Sequence, residues 1–166
     1  MKRSITGAAL AAALVMATVL PAAPAAAQGI MIKNRFPGMC LSISGGSFAN
    51  NTKAVQWPCS YTADQGWNDI PANQYYYEFK NSYSNKCLGV AAGSTARNAQ
   101  IVIFDCIGSA DQRWRKVASN TNGFWSYVNM KSGMYMSVSG GSTASNARIV
   151  QWPYGDTNDQ EWKQTY

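Results

Sequence analysis

The sequence predicts an all-β domain built from three copies of one unit. Three stretches of 38 residues, 30–67, 77–114 and 125–162, align without a gap. Each stretch alternates short apolar runs with Gly, Asn and Ser, which is typical of β-strands joined by turns. No segment after Gln28 has the apolar spacing of an amphipathic helix. Because one unit has too small an apolar face to be stable alone, the three are expected to close around a shared core.

Nine alignment columns are identical in all three copies. A propeller typically needs four to eight blades, so three copies favour a β-trefoil with pseudo-threefold symmetry. The tryptophan of each Gln-x-Trp is expected in the core, and its glutamine is expected to bond the backbone. Two asparagine columns are interpreted as architecture and as left-handed turns, respectively. The columns used below are Asn34/Asn81/Asn129, Asn51/Asn98/Asn146, Asp64/Asp111/Asp159, Gln65/Gln112/Gln160 and Trp67/Trp114/Trp162.

The first residues, 1–27, predict a secretory signal peptide. A basic start is followed by an apolar run (8–20) and by small residues ahead of a cleavage site before Gln28. The alternative, a transmembrane anchor, is less favoured because the run is short and is followed by proline. We therefore expect residues 28–166 to form one secreted, extracellular domain, monomeric and without a membrane span.

The four cysteines predict two disulfides, since a signal peptide directs the chain to an oxidising compartment. Two cysteines lie in the first copy, and two occupy the same columns of the second. The third copy has Tyr135 and Tyr154 at both columns, and loss of both cysteines together is what a bonded pair predicts. The expected pairs are Cys40–Cys59 and Cys87–Cys106.

Composition argues against several function classes. Without Lys2 and Arg3 the chain has 12 basic and 8 acidic residues, a net charge of +4. Its cations are scattered singly, so nucleic acid is not an expected partner. With no histidine, every cysteine assigned to a disulfide and no suggestive spacing of acidic residues, we expect no catalytic triad, no metal and no cofactor. The chain is not expected to be an enzyme.

The motifs resemble the ricin B-type lectin repeat. They are the run that starts Lys86-Cys-Leu-Gly-Val, then Val102-Ile-Phe-Asp-Cys, then Asp111-Gln-Arg-Trp, and their counterparts in the other copies. The resemblance covers essentially the whole chain after the signal peptide. It implies a non-catalytic carbohydrate-binding β-trefoil with one shallow sugar site per repeat, named α, β and γ.

The resemblance also implies which residues bind sugar. An aromatic residue two before the second cysteine stacks on the sugar, and an Asn or Asp before Gln-x-Trp adds hydrogen bonds. A third column, normally Asp, here holds Ser42, Gly89 and Ser137, a departure from the family's pattern. The predicted carbohydrate-binding residues are Ser42, Trp57 and Asp64 in α, Ser137, Trp152 and Asp159 in γ, and, more weakly, Phe104 and Asp111 in β.

Two of these assignments have structural alternatives. Apolar Ile101 and Ile103 indicate the inward face of their strand, which places Gln56 and Gln151 inside and the tryptophans of the site column outside. The three Asp residues could instead cap their own backbone turns. The function predicted is a lectin for polysaccharides or glycans. The alternative, motivated by the missing Asp column, is a sugar-blind trefoil that binds a protein or inhibits a secreted enzyme.

Overall fold

A computed structural model describes residues 29–166, so the predicted signal peptide lies outside the described residues. Each repeat contributes four β-strands. The first contains β1 (Ile30–Asn34), β2 (Cys40–Ile43), β3 (Thr52–Trp57) and β4 (Gly66–Pro71). The second contains β5 (Tyr77–Asn81), β6 (Cys87–Val90), β7 (Ile101–Phe104) and β8 (Trp114–Ala118). The third contains β9 (Trp125–Asn129), β10 (Tyr135–Val138), β11 (Ile149–Trp152) and β12 (Trp162–Thr165).

Helical structure between residues 29 and 166 is limited to six single 3₁₀ turns, two in each repeat. None of the helices in this range has the length and apolarity to span a bilayer. The turns are Ser44–Gly46, Ala63–Gln65, Ala91–Gly93, Ala110–Gln112, Ser139–Gly141 and Asn158–Gln160.

Six strands form a closed antiparallel barrel. The pairs β1–β4, β4–β5, β5–β8, β8–β9, β9–β12 and β12–β1 complete the ring. The other six strands form three hairpins, β2–β3, β6–β7 and β10–β11, which cover one end of the barrel. Closure removes the exposed sheet edges that a three-repeat chain would otherwise present. The predicted all-β, pseudo-threefold β-trefoil is confirmed.

The three Gln-x-Trp tryptophans join the barrel to the hairpins. Trp67, Trp114 and Trp162 are fully buried, as predicted. Each indole N–H donates to a main-chain oxygen of the first hairpin strand in its own repeat, so its polar atom is satisfied inside the core. The acceptors are the carbonyls of Leu41, Leu88 and Met136, at 3.1, 2.9 and 3.1 Å.

The glutamine of each Gln-x-Trp holds the loop that leads out of the hairpin. Gln65 Nε2 donates to the carbonyl of Pro58, and its Oε1 accepts the Ser60 N–H, both at 2.9 Å. Gln112 and Gln160 make the same two bonds in their own loops. This predicted backbone role fixes the turn that carries the neighbouring Asp residue.

The first asparagine column links each repeat to the repeat before it. Asn81 Nδ2 donates to the carbonyl of Asp64 at 2.9 Å and to that of Gly66 at 3.1 Å. Asn129 bonds the carbonyl of Asp111 at 2.8 Å in the same way. In the first repeat, Asn34 Nδ2 reaches the carbonyl of Asp159 at 3.2 Å, which joins the first repeat to the last. Each Asp is therefore positioned by two repeats, its own and the next.

Covalent and aromatic contacts hold the open end of each hairpin. The structure contains the disulfides Cys40–Cys59 and Cys87–Cys106. Where the third repeat lacks cysteine, the rings of Tyr135 and Tyr154 pack with centroids 4.9 Å apart. The first of these two columns pairs across the hairpin with the predicted stacking aromatic in every repeat. The two disulfides and the tyrosine pair thus fix the strand end that presents this aromatic residue.

Candidate functional site

Each repeat has one shallow cleft between its hairpin and its second 3₁₀ turn. The α, β and γ clefts have volumes of about 280, 400 and 340 Å³. Every predicted binding residue lines the cleft of its own repeat. The groups are Ser42, Trp57 and Asp64 in α, Phe104 and Asp111 in β, and Ser137, Trp152 and Asp159 in γ.

Strand alternation exposes the tryptophans of the α and γ clefts. Gln56 is fully buried one residue before Trp57, and Gln151 is fully buried one residue before Trp152. Because side chains alternate between the faces of a strand, the next residue faces outward. Trp57 is 45% exposed and Trp152 is 40% exposed. Each ring therefore offers a solvent-facing surface at the mouth of its cleft.

The two buried glutamines face inward, as the sequence predicts, and their amides bond the backbone of a neighbouring repeat. Gln56 Nε2 donates to the carbonyls of Ser142 and Ala144, at 2.8 and 2.9 Å. Gln151 makes the equivalent bonds to the loop that contains Ser94. Their amides are directed at backbone groups of a neighbouring repeat rather than at the clefts.

A serine and an aspartate form the floor of the α and γ clefts. Ser42 Oγ donates to Asp64 Oδ2 at 2.9 Å, and Ser137 Oγ donates to Asp159 Oδ2. Both serines are buried, whereas both carboxylates are partly exposed. Within residues 29–166 these are the only hydrogen bonds of the Asp64 and Asp159 carboxylates, so neither one caps its own backbone turn. The serines hold the carboxylates toward the clefts.

The β cleft has a different floor. Gly89 occupies the serine column, so Asp111 lacks the serine partner that its counterparts have. A Cβ built at Gly89 would lie 2.9 Å from Gln112 Cγ, too close without a shift of that side chain. Phe104 is also smaller than tryptophan, and it is only partly exposed. These small residues make the β cleft the largest of the three, although its predicted residues are the weakest set.

Residues from neighbouring repeats also line the α and β clefts, and they are absent from the predicted binding residues. Asn51 lines the β cleft and Asn146 lines the α cleft. Both have the predicted left-handed backbone, with φ of 65°. The loops that carry them bond across repeats, for example from Asn146 N to the carbonyl of Gln56 at 2.8 Å. Lys131, from the third repeat, lines the β cleft as well. No local motif indicates these contacts, because they depend on how the repeats pack together.

The α and γ clefts combine an exposed aromatic ring with a carboxylate held on a serine. An exposed ring suits a ligand with an apolar C–H face, and a carboxylate accepts hydrogen bonds from hydroxyl groups. Among residues 29–166, no three acidic or cysteine side chains come together in a way that could hold a metal ion. This chemistry fits reversible binding of a polyhydroxylated ligand such as a pyranose.

The sequence matches the ricin-type β-trefoil lectin domain over residues 28–162. No curated protein matches the chain significantly in sequence. Among solved structures, the designed threefold-symmetric protein ThreeFoil is similar, with a TM-score of 0.80 and 25% identity over 82% of this chain and 97% of that one.

Two natural proteins share the fold at lower identity. An exo-β-1,3-galactanase from Clostridium thermocellum has a TM-score of 0.80 and 22% identity, and the match covers 84% of this chain but 30% of the enzyme. A ricin B-like lectin from Macrolepiota procera, solved in complex with lactose, has a TM-score of 0.71 and 16% identity, over 81% of this chain and 92% of that one.

Proposed function

We infer that this protein, which belongs to the ricin-type β-trefoil lectin domain family, is a secreted, non-catalytic lectin. It binds sugars of polysaccharides or glycans at up to three shallow clefts. The observation that carries the proposal is an exposed tryptophan beside a serine-held carboxylate in both the α and the γ cleft.

The Ser–Asp pair supports sugar binding despite the departure from the family's pattern. The family's usual carboxylate comes from the column that Ser42 occupies, and an Asn or Asp follows before Gln-x-Trp. Here the single carboxylate comes from Asp64, and the Ser42 hydroxyl orients it. Asp64 Oδ1 accepts no hydrogen bond from any residue in the described range, so it is free to accept one from a sugar hydroxyl. A charged acceptor gives a stronger hydrogen bond than a neutral one.

Each cleft is shallow, so binding at one cleft is expected to be weak. A polysaccharide presents many copies of its sugar, and two or three clefts on one trefoil can engage it together. The resulting effective concentration raises the overall affinity without any new contact. Polymers are therefore the better ligands.

Secretion is proposed from residues 1–27 together with the two disulfides, which require an oxidising compartment. Expression with the full N-terminus in a secreting host tests this. The protein recovered from the medium is expected to begin at Gln28. Retention in the cell with residues 1–27 intact would contradict it.

Retention on insoluble xylan, chitin and cellulose, together with a glycan array, tests the function. The wild type is expected to be retained on at least one polysaccharide, released by the free sugar, and to generate no reducing ends from it. The double variant Trp57→Ala, Trp152→Ala is expected to lose most of this retention. Tyr75→Ala is the matched control, since Tyr75 is a 62% exposed aromatic outside the clefts. Retention that survives the double substitution would exclude the two tryptophan clefts as the site.

The second candidate is a trefoil that binds a protein or inhibits a secreted enzyme without recognising sugar. The observation that favours it is the absence of the family's usual Asp at Ser42, Gly89 and Ser137. A pull-down from culture medium distinguishes the two functions. Capture of a protein that free sugars do not displace, with no retention on any glycan, would support this candidate and refute the lectin.

A further inference from the structure

A pair of packed aromatic rings lies beside the α cleft, in addition to Trp57. Phe48 and Tyr83 come from different repeats, and their ring centroids are 4.3 Å apart at an angle of 31°. Despite this contact, Phe48 is 52% exposed and Tyr83 is 47% exposed. The Tyr83 N–H donates to Asn81 Oδ1 at 3.2 Å, which anchors its loop to the asparagine that links the repeats. The pair is therefore a positioned aromatic surface that faces solvent.

Tyr83, one ring of this pair, lines a groove that is continuous with the α cleft. Tyr83 lines a groove of about 320 Å³ whose other walls are Gly45, Gly46, Thr62, Ala63 and Asp64. The α cleft, which contains Trp57, shares four of those walls, namely Gly45, Gly46, Thr62 and Asp64. Asp64 thus lies on the boundary of both depressions, with Trp57 on one side and Tyr83 on the other.

Two adjacent glycines line both depressions between the two aromatic platforms. Gly45 and Gly46 have left-handed backbones, with φ of 62° and 59°. A Cβ built on either glycine would meet no heavy atom within 4 Å, so open space lies above them. The two glycines therefore put no side chain in the path of a ligand that passes from one platform to the other.

Only the α cleft combines these features. The Phe48 column holds threonine in the other two repeats, at Thr95 and Thr143. The Tyr83 column holds Lys131 beside the β cleft and Phe36 on the γ side, where Asn34 bonds the Asp159 carbonyl. Phe36 is 57% exposed, but with threonine in the Phe48 column it has no equivalent ring partner. The Phe48–Tyr83 pair therefore occurs at one cleft and is not part of the repeated pattern.

We propose that the α cleft is an extended site for a linear oligosaccharide of two or more units. One sugar unit stacks on Trp57 and the next lies against Tyr83 and Phe48. Asp64, between them, accepts hydrogen bonds from sugar hydroxyl groups. The β and γ clefts, which lack this ring pair, take a single unit. This inference rests on the proposed lectin function, which it deepens by assigning chain-length selectivity to one site.

The test isolates the α cleft in a parent variant, Phe104→Ala with Trp152→Ala. Calorimetric titrations use the monosaccharide to hexasaccharide series of the polysaccharide that retains the wild type. In this parent, affinity is expected to rise about tenfold from one sugar unit to two or more. The second unit covers part of the Phe48–Tyr83 pair and buries roughly as much apolar area there as the first unit buries on Trp57.

Adding Phe48→Thr, the residue of the other repeats, and Tyr83→Ala is expected to abolish that rise and to leave monosaccharide affinity unchanged. Adding Trp57→Ala instead is expected to weaken both. A variant without Phe48 and Tyr83 that keeps the tenfold rise, while its unfolding midpoint matches that of the parent, would overturn the inference. If the wild type is retained on no polysaccharide and binds no glycan, the lectin proposal itself fails, and this one fails with it.

Discussion

The contact between Ser42 and Asp64 can be tested by adding a second carboxylate at position 42. Ser42→Asp would place a second carboxylate at the floor of the α cleft, where Ser42 Oγ now lies 2.9 Å from Asp64 Oδ2. Two like charges about 4 Å apart repel by about 4 kcal/mol at an effective dielectric constant of roughly 20. Since Asp64 is partly exposed, water reduces this repulsion. We expect S42D to lower the free energy of unfolding by about 2–4 kcal/mol near neutral pH.

A double-mutant cycle separates repulsion from poor packing. Asp64→Asn alone removes the charged acceptor and is expected to cost about 1 kcal/mol. The double variant S42D D64N has one carboxylate beside an amide donor, so it is expected to be more stable than S42D alone. Urea unfolding of all four proteins at about pH 7.5 gives the coupling free energy, expected to be about 1–3 kcal/mol. The same cycle at Ser137 and Asp159 provides an independent replicate in the γ cleft.

The pH dependence gives the sign of the effect. Repulsion raises the folded-state pKa of the introduced carboxyl group above its unfolded value of about 3.9. Its cost is therefore fully present above the raised pKa and disappears as the pH falls below the unfolded value. S42D should approach wild-type stability at about pH 3.5. A zero coupling free energy, or a penalty independent of pH, would refute the conclusion that Asp64 points at residue 42.

Three further predictions concern stability. Burial acts to raise the pKa of Glu161, but hydrogen bonds from Arg35 and from two hydroxyl groups outweigh it and hold this pKa below its ordinary value. The stability that this carboxylate contributes is therefore present above its unfolded pKa of about 4.3 and is lost as the pH falls through its folded pKa. Glu161→Gln should lower the free energy of unfolding by about 1–3 kcal/mol at neutral pH and weaken the fall of the melting temperature at acid pH. An unchanged dependence of the melting temperature on pH would contradict this. Tyr135→Cys with Tyr154→Cys should form a third disulfide, worth roughly 3 kcal/mol, while the lost ring pair costs about 1 kcal/mol. Under oxidising conditions the variant should therefore melt about 5 °C above the wild type. Because reductant also opens the two native disulfides, a difference between variant and wild type that reductant leaves unchanged would count against this prediction. Trp67→Phe should lower the free energy of urea unfolding by about 2–4 kcal/mol, because it leaves a void and an unpaired carbonyl, and a loss under 1 kcal/mol would be inconsistent with the buried indole bond.

Several features of the fold could be predicted because every repeat must satisfy the same requirement. A tryptophan that recurs at one column in three units has one environment, and the structure buries Trp67, Trp114 and Trp162 against equivalent carbonyls. Cysteines that share two columns have one partner each. The left-handed asparagines follow from the same logic, since their φ values agree to within 1°.

The site was only partly predictable. The repeated columns predict that Ser42, Trp57 and Asp64 lie in one cleft, but they do not predict that the Ser42 hydroxyl donates to the Asp64 carboxylate. The size of the β cleft depends on how little space Gly89 and Phe104 fill once the hairpin is folded. Neither fact has a signature in residue spacing.

The three-unit β architecture, its buried tryptophans and its disulfide pairs can be read from residue periodicity, because residues that recur in every unit make the same contact in each unit or with an equivalent neighbour. Three further facts are visible only in the folded protein: which loop reaches which cleft, that Ser42 donates to Asp64, and that Phe48 packs on Tyr83. Those contacts join residues of different columns or different repeats. Their distances depend on the relative placement of folded elements, which no pattern along the chain records.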